Sequence, residues 1–169
     1  YYSSGSESDQ SHFNSRGDNE RAVKNNYIIE NGVKIYTDGE ILNRVDYDVY
    51  GRIVHSISAK IKLGGTGPDL NAYTKALKKV EETFTTYDSR SYVTQTIADE
   101  WQVPGDSILI TEQPKSGDKY NTPRIELQNG CVKRFGHSTD NVKLNFKGQA
   151  LKSIDYNYQW DGSQKVYYK

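Results

Sequence analysis

Arg124, Glu126, Lys133 and His137 fall within one short stretch, PRIELQNGCVKRFGH from Pro123 to His137, and they are residue types that acid–base chemistry on a phosphodiester uses. A carboxylate takes a proton from a hydroxyl, an imidazolium gives one to a leaving oxygen, and a guanidinium stabilises the charge that gathers between them. Asn129-Gly130 is the signature of a two-residue type I′ turn, since both residues tolerate positive φ, and both flanks read as strands. The stretch is therefore predicted to be a β-hairpin in which Gln128 faces Cys131, Glu126 faces Lys133 and Arg124 faces Phe135. Alternation sends Ile125, Leu127 and Val132 to a core face. It sends Arg124, Glu126, Lys133 and His137 to the other, with Arg124 and His137 as diagonal neighbours. The wet side of a half-buried sheet would carry the same residues.

The elements that must position these groups are bounded first by composition. At 169 residues with zero formal net charge, the chain suits one domain and offers no global field to gather nucleic acid or an anionic membrane. The charge is unevenly spread: from Lys115 onward there are ten Lys/Arg against five Asp/Glu, so the C-terminal third is locally basic. A single cysteine, Cys131, rules out an internal disulfide and argues against a Cys-based metal site. No apolar run approaches a membrane span, and no cofactor loop or metal-ligand cluster stands out. The absence of methionine and the start at Tyr1 read as a processed, secreted protein.

Residues 1–26 are polar and Ser-rich and read as an N-terminal arm, leaving 27–169 as the domain. Within the arm, Arg16-Gly17-Asp18 resembles an integrin-binding tripeptide. Asn31-Gly32 and Asp38-Gly39 each signal a tight hairpin, which predicts a three-stranded meander. Val45 to Leu63 keeps one apolar parity for too long to be one strand. It must fold back, and a three-residue loop at Tyr50 to Arg52 keeps the apolar face together, with His55 packed opposite Tyr47. Leu70, Tyr73, Leu77, Val80 and Phe84 recur at helical spacing, so one amphipathic helix is expected from Pro68 to Thr86. Short strands follow, and near the end Asp161-Gly162 closes a hairpin returning through KVYYK. That hairpin puts Tyr156, Tyr158, Trp160 and Tyr167 on one side. With Lys133 they form a candidate binding surface, or a ladder that packs the sheet. The expected fold class is α+β, mostly antiparallel sheet with one long central helix.

The order helix, Glu-Trp strand, Arg-led hairpin and terminal His over residues 68–140 resembles the secreted guanyl-specific ribonucleases of fungi. Glu100-Trp101-Gln102-Val103 matches that family's Glu-Trp strand, Arg124-Ile125-Glu126-Leu127 its hairpin head and Gly136-His137-Ser138-Thr139 its terminal His. Gln102 departs from the family's proline, the family's disulfides are missing, and a second catalytic His has no counterpart. The resemblance implies a catalytic set of Glu100 as base, Arg124 as electrophilic stabiliser and His137 as acid. Glu126, sharing the Arg124 face, is the substitute base, and zero net charge points to single-stranded RNA as the substrate, since it gives little of the phosphate attraction that duplex binding relies on. The same superfamily includes ribonuclease-like secreted effectors that keep the fold without the chemistry. Three functions follow as expectations. One is a secreted binding or effector protein acting on a host or partner macromolecule; the others are an endoribonuclease, and an enzyme inhibitor or immunity protein.

Overall fold

A computed structural model describes residues 3–66, 77–103, 108–110, 122–128 and 130–168. Every regular element among them is a β-strand. Nine form one antiparallel sheet: β1 (Ser3–Phe13), β2 (Asn19–Glu30), β3 (Val33–Tyr47), β4 (Ile53–Lys62), β5 (Leu77–Tyr87), β6 (Val93–Gln102), β9 (Val132–Leu144), β10 (Ala150–Asp161) and β11 (Gln164–Tyr168), neighbours in that order. β7 (Leu109–Ile110) and β8 (Arg124–Ile125) pair with each other in the excursion between β6 and β9. The expected α+β class is thus corrected to all-β, and the arm expected over residues 1–26 forms, from Ser3 on, β1 and most of β2.

The first half of the expected Pro68–Thr86 helix lies outside the described residues, and the second half is β5. Within the described part, a bulge accounts for the spacing of three between Leu77 and Val80. Between Lys60 and Ile61 the register with β5 shifts, so Val80 opposes Ala59 while Leu77 opposes Ile61. One inserted residue turns a strand's period of two into a spacing of three, which imitates a helix turn. Downstream, Val80 and Glu82 are buried two apart, and TFTTY has β-branched and aromatic character.

The inner face of the sheet can be followed strand by strand. Val23, Ile41, Ala59, Val80 and Trp101 lie in register across β2 to β6. The excursion covers this face. Ile108 and Ile125 join the core with Ile41, Ile57 and Ile61. Asn43 on β3 anchors the excursion, its Oδ1 accepting from the Ile125 N–H at 2.6 Å and its Nδ2 donating to the Pro123 carbonyl at 3.2 Å. Two backbone groups that would otherwise be buried unpaired are satisfied by one amide side chain.

Four hairpin turns share one construction and emerge at one end of the sheet, joining β1–β2, β3–β4, β5–β6 and β9–β10. In each, an Asn or Asp (Asn14, Asp48, Asp88, Asn145) accepts two backbone N–H groups through its side-chain Oδ1, those two and four residues on. Its carbonyl also accepts from the residue three on, which has positive φ: Gly17, Gly51, Ser91 or Gly148. This is a three-residue hairpin loop made of a type I turn and a left-handed residue. The fold-back expected at Tyr50–Arg52 is therefore Val49–Gly51, one residue earlier, and Arg16-Gly17-Asp18 is the first of these turns. Neighbouring turns are tied together: Arg16 Nη1 donates to the Asp48 carbonyl at 3.1 Å, Arg52 Nη1 to the Asp88 carbonyl at 3.2 Å, and Tyr92 Oη to the Phe146 carbonyl at 2.7 Å.

Two expected hairpins form: Glu30 pairs with Val33 around Asn31-Gly32, and Asp161 pairs with Gln164 around Gly162-Ser163. Asp38-Gly39 makes no turn; both lie inside β3. A Cβ on Gly39 would sit 2.8 Å from the Lys24 carbonyl, so close strand contact accounts for this glycine.

Candidate functional site: a caged lysine and an aromatic face

A second register line crosses the inner face: Ile57, Glu82, Asp99, Gly136, Tyr158 and Tyr167 on β4, β5, β6, β9, β10 and β11. It places two carboxylates side by side on adjacent strands. Lys133 resolves the repulsion, its Nζ lying 2.7 Å from Asp99 Oδ2 and 3.5 Å from Glu82 Oε2. Each carboxylate also holds one indole: Trp101 Nε1 donates to Glu82 at 3.0 Å and Trp160 Nε1 to Asp99 at 2.9 Å. The ammonium sits 5.2 Å from the Trp101 ring centre and 5.1 Å from that of Trp160, within cation–π range of both. Glu82 further meets His55 Nε2 at 2.9 Å. That imidazole stacks on Phe84 and lies beside Asp46, its partner on β3, rather than opposite Tyr47.

Tyr158 closes the network. Its hydroxyl donates to Asp99 Oδ1 at 2.8 Å by passing over β9, which is possible because residue 136 is glycine. A Cβ there would lie 2.4 Å from the tyrosine ring and 2.7 Å from the carboxylate. Tyr158 is fully buried, and burial first, then the hydrogen bond to Asp99, pushes its phenol well above the ordinary range. Burial alone would raise the Asp99 carboxyl, but the bonds from Lys133, Trp160 and Tyr158 outweigh it and hold the group below the usual value.

Around this buried polar line the aromatic side chains of β10 and β11 pack edge to face: Tyr158 against Trp160 and Tyr167, and Tyr156 against Tyr167. Tyr167 nevertheless keeps 59% of its surface in solvent and Tyr156 40%. Trp101, Lys133 and Trp160, with Cys131, Val132 and Ser163, line an open cleft of about 410 Å³. The five residues expected to form a binding surface, Lys133, Tyr156, Tyr158, Trp160 and Tyr167, are thus brought together. Asp99, Glu82 and Trp101 join them: the two carboxylates are unmarked in the sequence and Trp101 is marked only within the Glu-Trp strand, because all three come from strands distant along the chain.

The residues expected to be catalytic are not gathered into one site. Gln128 does cap a turn to Cys131 at 3.1 Å, but the flanks diverge: Arg124 pairs with Ile110 in the excursion, and Lys133 with Trp101. Val132, expected in the core, is half exposed. Arg124 and Glu126 form an ion pair with each other at 2.8 Å on the inner side. His137, alternating with inward Gly136, projects from the outer face, so the sheet stands between it and Arg124. Glu100 shares the outer face with His137 as a diagonal neighbour and is ion-paired to Lys79 at 3.2 Å.

Among the described residues no group of His, Cys, Asp and Glu is arranged to hold a metal, and no helix is long and apolar enough to cross a membrane. Comparison with protein-family models, with curated proteins and with solved structures found no match.

Proposed function

We propose that this chain is a binding protein that acts through contact of its C-terminal aromatic face with a partner protein. The observation that supports this reading is the division of labour on β9–β11. Trp101, Tyr158 and Trp160 are pinned by Asp99, Glu82 and Lys133, while Tyr156 and Tyr167 stand exposed on that rigid support. Tyr167 packs edge to face on Tyr158 and Tyr156 on Tyr167, and exposed rings supported in this way give up less side-chain freedom on binding. Export and an effector role belong to the same proposal, so the partner is sought among host proteins. The test is affinity capture from host extract with the wild-type chain and with a Tyr156→Ser/Tyr167→Ser double variant. A protein retained by the first and lost with the second is expected; identical recoveries would overturn the reading.

The ribonuclease alternative keeps only Glu100 and His137 on one face, without the guanidinium. Incubating labelled single-stranded RNA with wild type and His137→Ala separates it: cleavage lost in the variant would favour catalysis over binding.

A further inference from the structure

The turn end of the sheet is remote from the aromatic face and carries its own rings. Successive turns are two strands apart, a pitch of about 10 Å. The second, third and fourth each bear one aromatic ring with a cation over it: Arg52 lies 4.9 Å from the Tyr50 ring centre, Arg90 5.0 Å from that of Tyr92, and Lys147 5.6 Å from that of Phe146. Tyr50 is 77% exposed and Phe146 80% exposed, values that no packing role explains. The bonds between turns fix the row: the half-buried Tyr92 ring lies across Gly148 of the fourth turn with its hydroxyl on the Phe146 carbonyl, and Tyr50 and Phe146 are left as the rings that stand in solvent.

The charges narrow the partner. Arg52 is ion-paired with Asp48 and Arg90 with Asp88 in their own turns, as is Arg16 with Asp18. The edge therefore has almost no net field for a polyanion, and its most open planar donor is the Arg90 guanidinium, whose side chain is 57% exposed between the two solvent-facing rings. That combination suits a chain of pyranose rings, whose C–H faces lie on aromatics and whose hydroxyls accept from a guanidinium. Tyr50 and Phe146 stand on turns four strands apart, about 20 Å, a distance that a linear chain of several pyranose rings can bridge. We propose that this edge binds a linear, uncharged polysaccharide laid across the turns, a site separate from the protein-binding face above.

The test is co-sedimentation of the protein with insoluble cellulose, chitin, xylan and mannan, followed by calorimetry with oligosaccharides of increasing length from the polymer retained. Wild type should sediment with at least one polymer. Affinity should climb with oligosaccharide length until three turns, about 20 Å, are spanned, and then level off. Tyr50→Ala and Phe146→Ala should each weaken binding about tenfold without unfolding the chain, because both rings stand in solvent and the turn bonds are made by Asp48, Asn145 and the backbone. Failure of wild type to bind any of the four polymers would overturn the proposal. So would retention unchanged in a Tyr50→Ala/Phe146→Ala double variant, or lost only in Tyr156→Ser/Tyr167→Ser, which would assign the glycan to the other face.

Discussion

Lys133 holds together a site that would otherwise repel itself. Without its ammonium, Glu82 and Asp99 would face each other across adjacent strands, both nearly withdrawn from water. Lys133→Met should cost about 3 kcal/mol in urea unfolding at neutral pH, the low end for breaking a buried pair because the lysine keeps about a quarter of its side chain in solvent. The loss should shrink in acid, where the orphaned carboxylates protonate. In the wild type the sign runs the other way. Asp99 is held below its ordinary value, so its contribution is complete above the unfolded pKa of about 4 and is lost as pH falls through the lower folded value. Unfolding midpoints between pH 2 and 7 should show this, and a Lys133→Met curve that falls as steeply in acid would contradict it. Gly136→Ala should destabilise by about 1–3 kcal/mol, because the new methyl must displace either the Tyr158 ring or Asp99.

At the scale of elements, the four Asx turns set the hairpins and, through them, the register. Three of them place glycine at the positive-φ position, whereas the third uses Ser91 at φ 69°. Ser91→Gly should stabilise the chain by about 0.5–1 kcal/mol, left-handed strain relieved being partly offset by a more flexible unfolded chain and by loss of the Arg52–Ser91 hydrogen bond. Gly51→Ala should destabilise by a similar amount, and thermal unfolding of both variants checks the pair. This repeat is visible in the residues themselves, as FNSRG, YDVYG, YDSRS and LNFKG. It is easily passed over because only the Asx and the residue three on are constrained. Asn31-Gly32 was legible for the same reason that Asp38-Gly39 misled: the dipeptide reports tolerance of positive φ, and nothing local says whether that tolerance is used. The β5 bulge hid a strand behind helical spacing, since the cause of the extra residue lies in its pairing with β4.

Across the whole molecule, the excursion between β6 and β9 divides the sheet's inner face into a covered N-terminal part and an aromatic C-terminal part. The sequence favours a local hairpin at Asn129-Gly130. Tertiary pairing wins instead because β8 satisfies Asn43 and buries Ile125, while β9 finds a longer partner in β6. The quartet Arg124, Glu126, Lys133 and His137 depended on that local register and separates with it. The aromatic set was legible because β10 and β11 are sequence neighbours, so alternation alone aligns them. Ile125→Ala should cost about 2–5 kcal/mol and expose the N-terminal inner face, measurable as lowered urea stability with increased binding of an apolar dye.

The chain's two tryptophans, Trp101 and Trp160, both line the candidate cleft, so tryptophan emission excited apart from the tyrosines reports on that region of the inner face. The most direct measurement is a fluorescence titration of the wild-type chain and the Tyr156→Ser/Tyr167→Ser variant with the protein recovered by capture. The binding account predicts a saturable change in tryptophan emission for wild type and none at the same concentrations for the variant. Saturable binding, followed by an independent label on the partner, that leaves tryptophan emission unchanged or is equally tight in the variant would contradict it.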